Sequence, residues 1–145
     1  MSESSPKYHI NEGLISLPDG YQDRTVNVFA LPAGDAPAFN ISRDTLNPGE
    51  ALAAYIDRQL ALMGKHFKGW KQGERSAAML GDGLSQGEIV HASYLRDAKR
   101  IWQQQAVFNV DGDKVLVFTM TCARALSDAD GALLGDLLRS FRLHD

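Results

Sequence analysis

Hydrophobic and polar positions recur along this chain with two different periods, and the change of period marks its elements. A period close to 3.6 residues over residues 47–67 predicts an amphipathic helix with Asn47 as its N-cap. Its apolar sector spans roughly 160° and contains Leu52, Tyr55, Ile56, Leu60, Leu62, Met63 and Phe67. Ser127 is the expected N-cap of a second helix, whose apolar stripe runs to Phe141.

Alternation with a period of two residues predicts the strands. They are expected at residues 8–10, 14–17, 25–31, 38–42, 70–80, 85–95, 100–110 and 114–122. Turn residues at 81–83 and 111–113 connect neighbouring strands as hairpins. The order of strands, a helix, hairpin strands and a helix predicts an α+β fold with an antiparallel sheet.

Composition limits the class of protein without identifying it. The 145 residues suit one domain, residues 1–145, with residues 1–7 expected to be flexible. With 44% hydrophobic residues, 23% charged residues and a net charge of −3, the chain does not suggest nucleic-acid binding. A single cysteine, Cys122, permits no internal disulfide, and neither a leader nor a membrane span is evident. These features predict a cytoplasmic protein.

The sequence shows no group of residues typical of an active site. Its four histidines are far apart and none stands at metal-ligand spacing. Cys122 closes an apolar strand, which favours a small buried side chain over a nucleophile. Asp128 and Asp130 are explained by helix capping. We therefore predict no catalytic residues, no metal and no cofactor, and a protein that is not an enzyme.

Several glutamines lie where apolar residues are expected. Gln59 falls near the middle of the apolar helix sector, and Gln104 lies between Trp102 and Ala106 on one face of the strand at residues 100–110. Two interpretations stay open for Gln59 and Gln104: pairing with neighbouring backbone, or an apolar groove whose amides satisfy a hydrophobic partner segment. For Gln103 and Gln105, on the other face, pairing or a solvated strand edge is favoured.

Several segments resemble one bacterial protein family. They are LPDGYQDRTVNVFALP at residues 17–32, FNISRD at 39–44 and YIDRQL at 55–60, with a looser likeness over QAVF at 105–108. Together they resemble the Eag proteins, the DcrB-like effector-associated chaperones of type VI secretion. The resemblance covers nearly the whole chain.

This resemblance implies both a fold and a function. Eag chaperones are cytosolic homodimers, and each subunit is a curved antiparallel sheet with two main helices packed alongside, of the Mog1/PsbP-like type. Their concave surface shields the N-terminal transmembrane helices of a PAAR-containing effector until loading. The groove positions that the resemblance implies here are Val26, Val28, Gln59, Met63, Phe67, Trp102, Gln104 and Ala106. Ala106 stands where the family has a glutamine, and the loop before that strand is one residue longer.

A different class of function fits the same fold. A DcrB-like binding module could carry a small apolar ligand or a regulatory protein partner instead of an effector helix. A closed pocket within one subunit would favour the carrier, whereas an open concave face that continues across a dimer would favour the chaperone.

Overall fold

A computed structural model describes residues 7–144. The elements are β1 Lys7–Ile10, β2 Gly13–Ser16, β3 Asn27–Phe29, β4 Ala38–Thr45, α1 Leu52–His66, β5 Lys71–Leu80, β6 Ser85–Arg96, β7 Lys99–Asp111, β8 Lys114–Cys122 and α2 Asp128–Arg139. The predicted α+β fold is confirmed. The expectation that residues 1–7 are flexible falls, apart from Lys7 in β1, outside the described residues.

Six strands form one antiparallel sheet in the order β3-β4-β8-β7-β6-β5, and β1 pairs with β2 in a separate hairpin. The predicted antiparallel pairing of consecutive strands is therefore confirmed. β5 is one edge of the sheet, and its register shifts at a bulge between Gln72 and Arg75. The other edge, β3, is three residues long, shorter than the strand expected at residues 25–31. Beyond Asn27–Phe29 that segment does not pair with β4.

The two helices lie on opposite faces of the sheet. On one face, Ile56 and Leu60 of α1 pack against Val107 and Val117, with Tyr55 in the same buried cluster. On the other face, α2 packs through Leu134 and Leu138 against Ala106, Phe108 and Phe118. Successive residues of a strand point to opposite faces, so alternate residues of β7 serve different helices. The sheet is thus the middle layer between two apolar cores.

The start of α1 differs from the sequence-based expectation. The helix begins at Leu52, five residues after the predicted N-cap, and Ala51 stands at the N-cap without a side-chain hydrogen bond. Gly49 has φ of +74°, a left-handed conformation that interrupts a right-handed helix. The Glu50 carboxylate still accepts a hydrogen bond from the Asn47 backbone N–H at 3.0 Å. Residues 47–50 therefore form a separate capped turn before α1.

The start of α2 is where the sequence predicts it. The Ser127 hydroxyl accepts a hydrogen bond from the Asp130 N–H, and the Asp130 carboxylate accepts one from the Ser127 N–H. Arg124 donates to the same carboxylate at 2.7 Å, and this ionic hydrogen bond holds the pKa of Asp130 well below its usual value. A charge-assisted capping box thus fixes the entry to α2.

Candidate functional site

A row of amide and hydroxyl side chains crosses the sheet on the α1 face. Asn40 of β4 lies opposite Thr119 of β8, and Thr119 lies opposite Gln105 of β7. The Gln105 amide donates to the Thr119 hydroxyl at 3.2 Å. One step along the strands, Thr121 and Gln103 form a second opposed pair. We call these five residues the polar floor.

α1 runs beside this floor from one end of the sheet to the other. Near its start the Tyr55 hydroxyl donates to the Asp44 carboxylate at 2.7 Å, and just past its end the Phe67 ring lies 4.7 Å from the Tyr94 ring. Asp44 is near the C-terminal end of β4, and Tyr94 is near the C-terminal end of β6. Because β4 and β6 run in opposite directions, these positions mark opposite ends of the sheet.

The side of α1 that borders the floor is a ridge of side chains spaced four residues apart. Gln59, Met63 and Phe67 recur at this spacing and therefore lie one above another along the helix. Gln59 and Met63 line a cleft of about 150 Å³ together with Ser42 and Gln105. The amide of the helix and an amide of the sheet thus share one cleft.

An apolar rim bounds the floor on the other side. Val28 of β3 lies opposite Asn40 on the floor face, and it is 68% exposed. Val26 precedes β3 and is 53% exposed. The polar floor, the ridge Gln59–Met63–Phe67 and the rim residue Val28 together define what we call the groove.

The groove opens at one end into a second, wider cleft. This cleft has a volume of about 440 Å³, and its lining includes Ala38, Ile101, Thr121 and Arg96. Ile101 continues the α1 face of β7 beyond Gln103, so the cleft extends the groove rather than forming a separate pocket.

One floor residue is buried without a protein partner. The Gln103 side chain is only 5% exposed, and no side-chain hydrogen bond joins its amide to the rest of residues 7–144. A buried amide without a partner costs about 1–3 kcal/mol. The groove therefore contains hydrogen-bonding capacity that the described chain does not use.

The structure separates the eight residues that the sequence suggested for one groove. Val28, Gln59, Met63 and Phe67 border the groove, with Val26 exposed just before the rim strand. Trp102, Gln104 and Ala106 lie on the opposite face, where Ala106 is fully buried in the α2 core. The Gln104 amide lies beside Gly131 of α2. The eight residues therefore do not line a single surface, because β7 presents even-numbered side chains to α2.

The sequence alone does not predict the floor. The pairing expected for Gln105 is present in its hydrogen bond to Thr119, but no pattern in the sequence groups Gln103 and Gln105 with Asn40, Thr119 and Thr121. The signal was available in the alternation of residues 100–110, which placed Gln103, Gln105 and Val107 on one face. What the alternation does not reveal is which face meets the helix that carries Gln59, since both faces of β7 are rich in apolar residues.

Comparison with known proteins establishes the family to which the chain belongs. The DcrB family model matches residues 12–140, nearly the whole described chain. The chain belongs to the DcrB family. Over 72 residues, this DcrB-family chain is 38% identical to the Effector EagT6 of Pseudomonas aeruginosa, a match that covers 47% of this chain and 49% of the relative. The chain thus spans about half the length of that curated relative, and the DcrB-like family expected from the sequence is confirmed.

Two solved structures are similar in fold. The crystal structure of PA94 from Pseudomonas aeruginosa matches with a TM-score of 0.76 at 23% identity, covering 99% of each chain. That likeness concerns the fold of this DcrB-family chain alone. LpqN of Mycobacterium tuberculosis, involved in cell envelope biogenesis, matches with a TM-score of 0.48 at 21% identity, over 77% of this chain and 65% of its own.

The two carboxylates with lowered pKa values in this DcrB-family chain are engaged in structural ion pairs. The lowered pKa values of Glu50 and Asp130 come first from hydrogen bonds to Arg58 and Arg124, respectively. Among residues 7–144, no three His, Cys, Asp or Glu side chains are grouped as metal ligands. Within the same range, no helix is both long and apolar enough to cross a membrane. The groove is lined by amides, hydroxyls and apolar side chains, with Asp44 in its narrow cleft and Arg96 in its wider one.

Proposed function

We propose that this chain is a cytoplasmic, non-catalytic chaperone of type VI secretion, which binds the N-terminal transmembrane helices of a cognate PAAR-containing effector. The observation that carries the proposal is the groove, where the amides of Gln59 and Gln105 share one cleft between α1 and an open stretch of the sheet. The half-length similarity to the Effector EagT6 supports the same class of function.

The polar floor suits a helix that normally packs inside a membrane. Such helices pack through small residues, and their Ser, Thr and Asn side chains bond neighbouring helices. The amides of Gln59 and Gln105 and the hydroxyl of Thr121 are donors and acceptors that such a helix would otherwise find in another helix.

The apolar parts of the groove supply the remaining contact. Val28 is 68% exposed in the single subunit, and Phe67 is 39% exposed although its ring packs against Tyr94. Burial of apolar area contributes about 25 cal/mol per Å². A partner helix that covers the rim and the ridge would therefore gain affinity from both sides of the groove.

The proposal includes a homodimer. The β1–β2 hairpin pairs only with itself, and it exposes Ile10, Leu14 and Ile15 by 43–58%. An isolated two-stranded hairpin is marginally stable in water, so it needs a surface that covers its apolar side chains. A second copy of the chain is the partner that we propose for this hairpin.

Co-expression tests the proposal directly. The chain is produced with the N-terminal membrane-helix segment of the effector encoded beside its gene, and affinity purification shows whether the two co-purify. We expect the wild type to keep the segment soluble, and Val28→Asp to lose it by at least about tenfold, because a carboxylate on the rim opposes burial of an apolar helix.

Leu133→Asp is the matched control, since Leu133 is an exposed apolar residue of α2 on the opposite side of the sheet. Gln59→Leu with Gln105→Leu is expected to weaken binding, while Gln86→Leu, at an exposed strand position, leaves it unchanged. An insoluble segment with the wild type, or equal co-purification with Val28→Asp and Leu133→Asp, would contradict the proposal.

The carrier of a small apolar ligand receives less support. Pockets for such ligands enclose roughly 300–1,000 Å³, whereas the cleft between Gln59 and Gln105 measures about 150 Å³. The wider cleft at Arg96 is open to solvent along the groove. This geometry favours an elongated partner over an enclosed ligand.

A further inference from the structure

The groove has an acidic end and a basic end. Asp44 lies in the cleft with Gln59 and Gln105, near the start of α1. Arg96 lies in the wider cleft at the other end, beside Ile101 and Thr121. The two charges mark opposite ends of the sheet, because β4 and β6 are antiparallel to each other.

The Asp44 carboxylate forms no salt bridge with a cation of residues 7–144. Its carboxylate accepts neutral hydrogen bonds from the Tyr55 hydroxyl and the Thr45 N–H. The nearby Arg58 guanidinium is held by Glu50 in two hydrogen bonds of 2.9 Å. The Arg43 guanidinium, which lines the same cleft as Asp44, donates instead to Asn27. Arg24 and Lys114 line a neighbouring cleft with Asp44. None of the cations of residues 7–144 lies within 4.0 Å of the Asp44 carboxylate, so no salt bridge neutralises it.

The charge of Arg96 is likewise uncompensated. Its guanidinium donates to the Tyr94 hydroxyl at 3.0 Å, and no carboxylate of residues 7–144 lies within 4.0 Å of it. Arg124 in the same cleft is paired with Asp130 and Asp35. Lys99 pairs across the strands with Arg96, and Asp97 is the one acidic residue of the connecting turn. This end is therefore positive.

The spacing of the two charges matches a membrane-spanning helix. On β7, Asn109 lies in the cross-strand row of Asp44, and Lys99 lies opposite Arg96. Ten residues of strand separate these rows, a distance of about 33 Å. A helix of about 20 residues, the length that crosses a bilayer, measures about 30 Å. Its two ends would fall close to the two charges.

We propose that the bound membrane helix lies in the groove in one direction, with its N-terminal end at Asp44 and its C-terminal end at Arg96. A helix carries a partial positive charge and unpaired N–H groups at its N-terminus, and a partial negative charge and unpaired C=O groups at its C-terminus. Asp44 and Arg96 complement both ends in this direction and oppose both in the reverse direction. The inference rests on the proposed function and adds the direction of binding.

Distance measurement between spin labels tests the direction. The probe is a synthetic helix of about 20 residues built from Leu, Ala and Ser, with one Lys at each end and both termini blocked. It carries a nitroxide at either end. The protein carries the second nitroxide at Ala51→Cys, beside the start of α1, or at Ala36→Cys, in the cleft of Arg96, in a Cys122→Ser background.

We expect the N-terminal label of the probe to lie close to the label at Ala51→Cys, and its C-terminal label close to the label at Ala36→Cys. The population bound in this direction should exceed the population bound in the reverse direction about tenfold. Arg96→Gln, which leaves the bond between Tyr55 and Asp44 intact, is expected to lower this excess about threefold. Asp44→Lys with Arg96→Glu is expected to invert it. Asp82→Lys with Arg142→Glu changes the same charges at exposed sites outside the groove and leaves the excess unchanged.

The outcomes separate the two proposals. Binding with equal populations of both directions, a reversed excess in the wild type, or an excess that Asp44→Lys with Arg96→Glu leaves intact would overturn the direction while the helix-binding function stands. Failure of the wild type to bind the probe would overturn the helix-binding function, and the direction with it.

Discussion

Two adjacent residues of the β6–β7 turn adopt left-handed backbone conformations. Asp97 has φ of +52° and Ala98 has φ of +66°. A two-residue hairpin turn of this kind requires positive φ at both positions, because only that twist matches the strands that it joins. Asp tolerates this conformation through its short polar side chain, whereas for Ala it costs about 1–2 kcal/mol. Ala98 therefore holds strain next to the Arg96 end of the groove.

Ala98→Gly is expected to stabilise the folded chain by about 1 kcal/mol, since glycine adopts positive φ without a Cβ clash. Chemical denaturation measures the change as a shift of the unfolding midpoint. Ala61→Gly, on the exposed surface of α1, is the contrasting control and should destabilise the chain by about 1 kcal/mol. A lower midpoint for Ala98→Gly would show that the turn does not need a left-handed residue there.

The glutamines of α1 and β7 show which features of the groove the sequence can predict and which it cannot. Gln59 stood out because an amide interrupted an otherwise apolar helix sector, and the structure places it beside the floor. Gln104 stood out by the same logic on β7, yet it faces α2. Gln105, one position further, faces Gln59. Because alternation defines two faces without assigning them to helices, the sequence does not reveal which glutamine of β7 shares a cleft with Gln59.

At the scale of elements, the turn before α1 is held by charge. The Arg58 guanidinium and the Asn47 N–H both donate to Glu50, and these bonds lower the pKa of Glu50 from 4.5 to about 2. In the unfolded chain these partners are absent and the pKa returns to its usual value. Ionised Glu50 therefore stabilises the fold wherever the pH exceeds about 4.5.

The free energy of unfolding is expected to fall as the pH decreases from 4.5 towards 2, because the fold then loses the contribution of ionised Glu50. Urea denaturation across this range measures the fall, and Glu50→Gln should make it shallower. Glu12→Gln, at an exposed carboxylate between β1 and β2, serves as the control and should leave the profile unchanged. An identical pH profile for the wild type and Glu50→Gln would contradict this account.

The same turn explains why the start of α1 differs from the start that the sequence predicts. The apolar period over residues 47–67 predicted a helix, and from Leu52 onward that helix is present. Residues 47–50 contain good capping chemistry, with Asn47 and Glu50, but Gly49 adopts a left-handed conformation. The period of hydrophobic residues predicts which side of a segment is buried, whereas a single glycine can determine where the helix begins.

At the scale of the whole molecule, the exposed β1–β2 hairpin is the surface where substitutions should disrupt the proposed dimer. Leu14→Glu with Ile15→Lys is expected to yield monomers, because charged side chains would replace the apolar contact proposed for the dimer. Light scattering after size-exclusion chromatography measures the mass, which should halve relative to the wild type.

Leu133→Glu, on the outer side of α2, is the control for this change and should leave the mass unaltered. A wild type that is monomeric at all concentrations would contradict the proposed dimer. A dimer that survives the hairpin substitutions would place the interface elsewhere on the molecule.

The whole fold was more predictable from the sequence than the groove. The turns at 81–83 and 111–113 join neighbouring antiparallel strands as expected, because glycine and aspartate fix such turns locally. The placement of α1 and α2 on opposite faces depends instead on contacts between distant segments, such as Leu60 with Val107 and Leu134 with Ala106. Those pairings leave no local pattern in the sequence.

Both edges of the sheet discourage the addition of further strands. β5 carries Lys71, Glu74 and Arg75 around its bulge, and β3 offers only three residues for pairing. Charges, bulges and short edge strands prevent a sheet from templating cross-β aggregation. For the chaperone proposed above this protection would matter, since an extended apolar segment that added to an open edge would begin a fibril. Blunted edges would leave the groove as the surface through which such a segment binds.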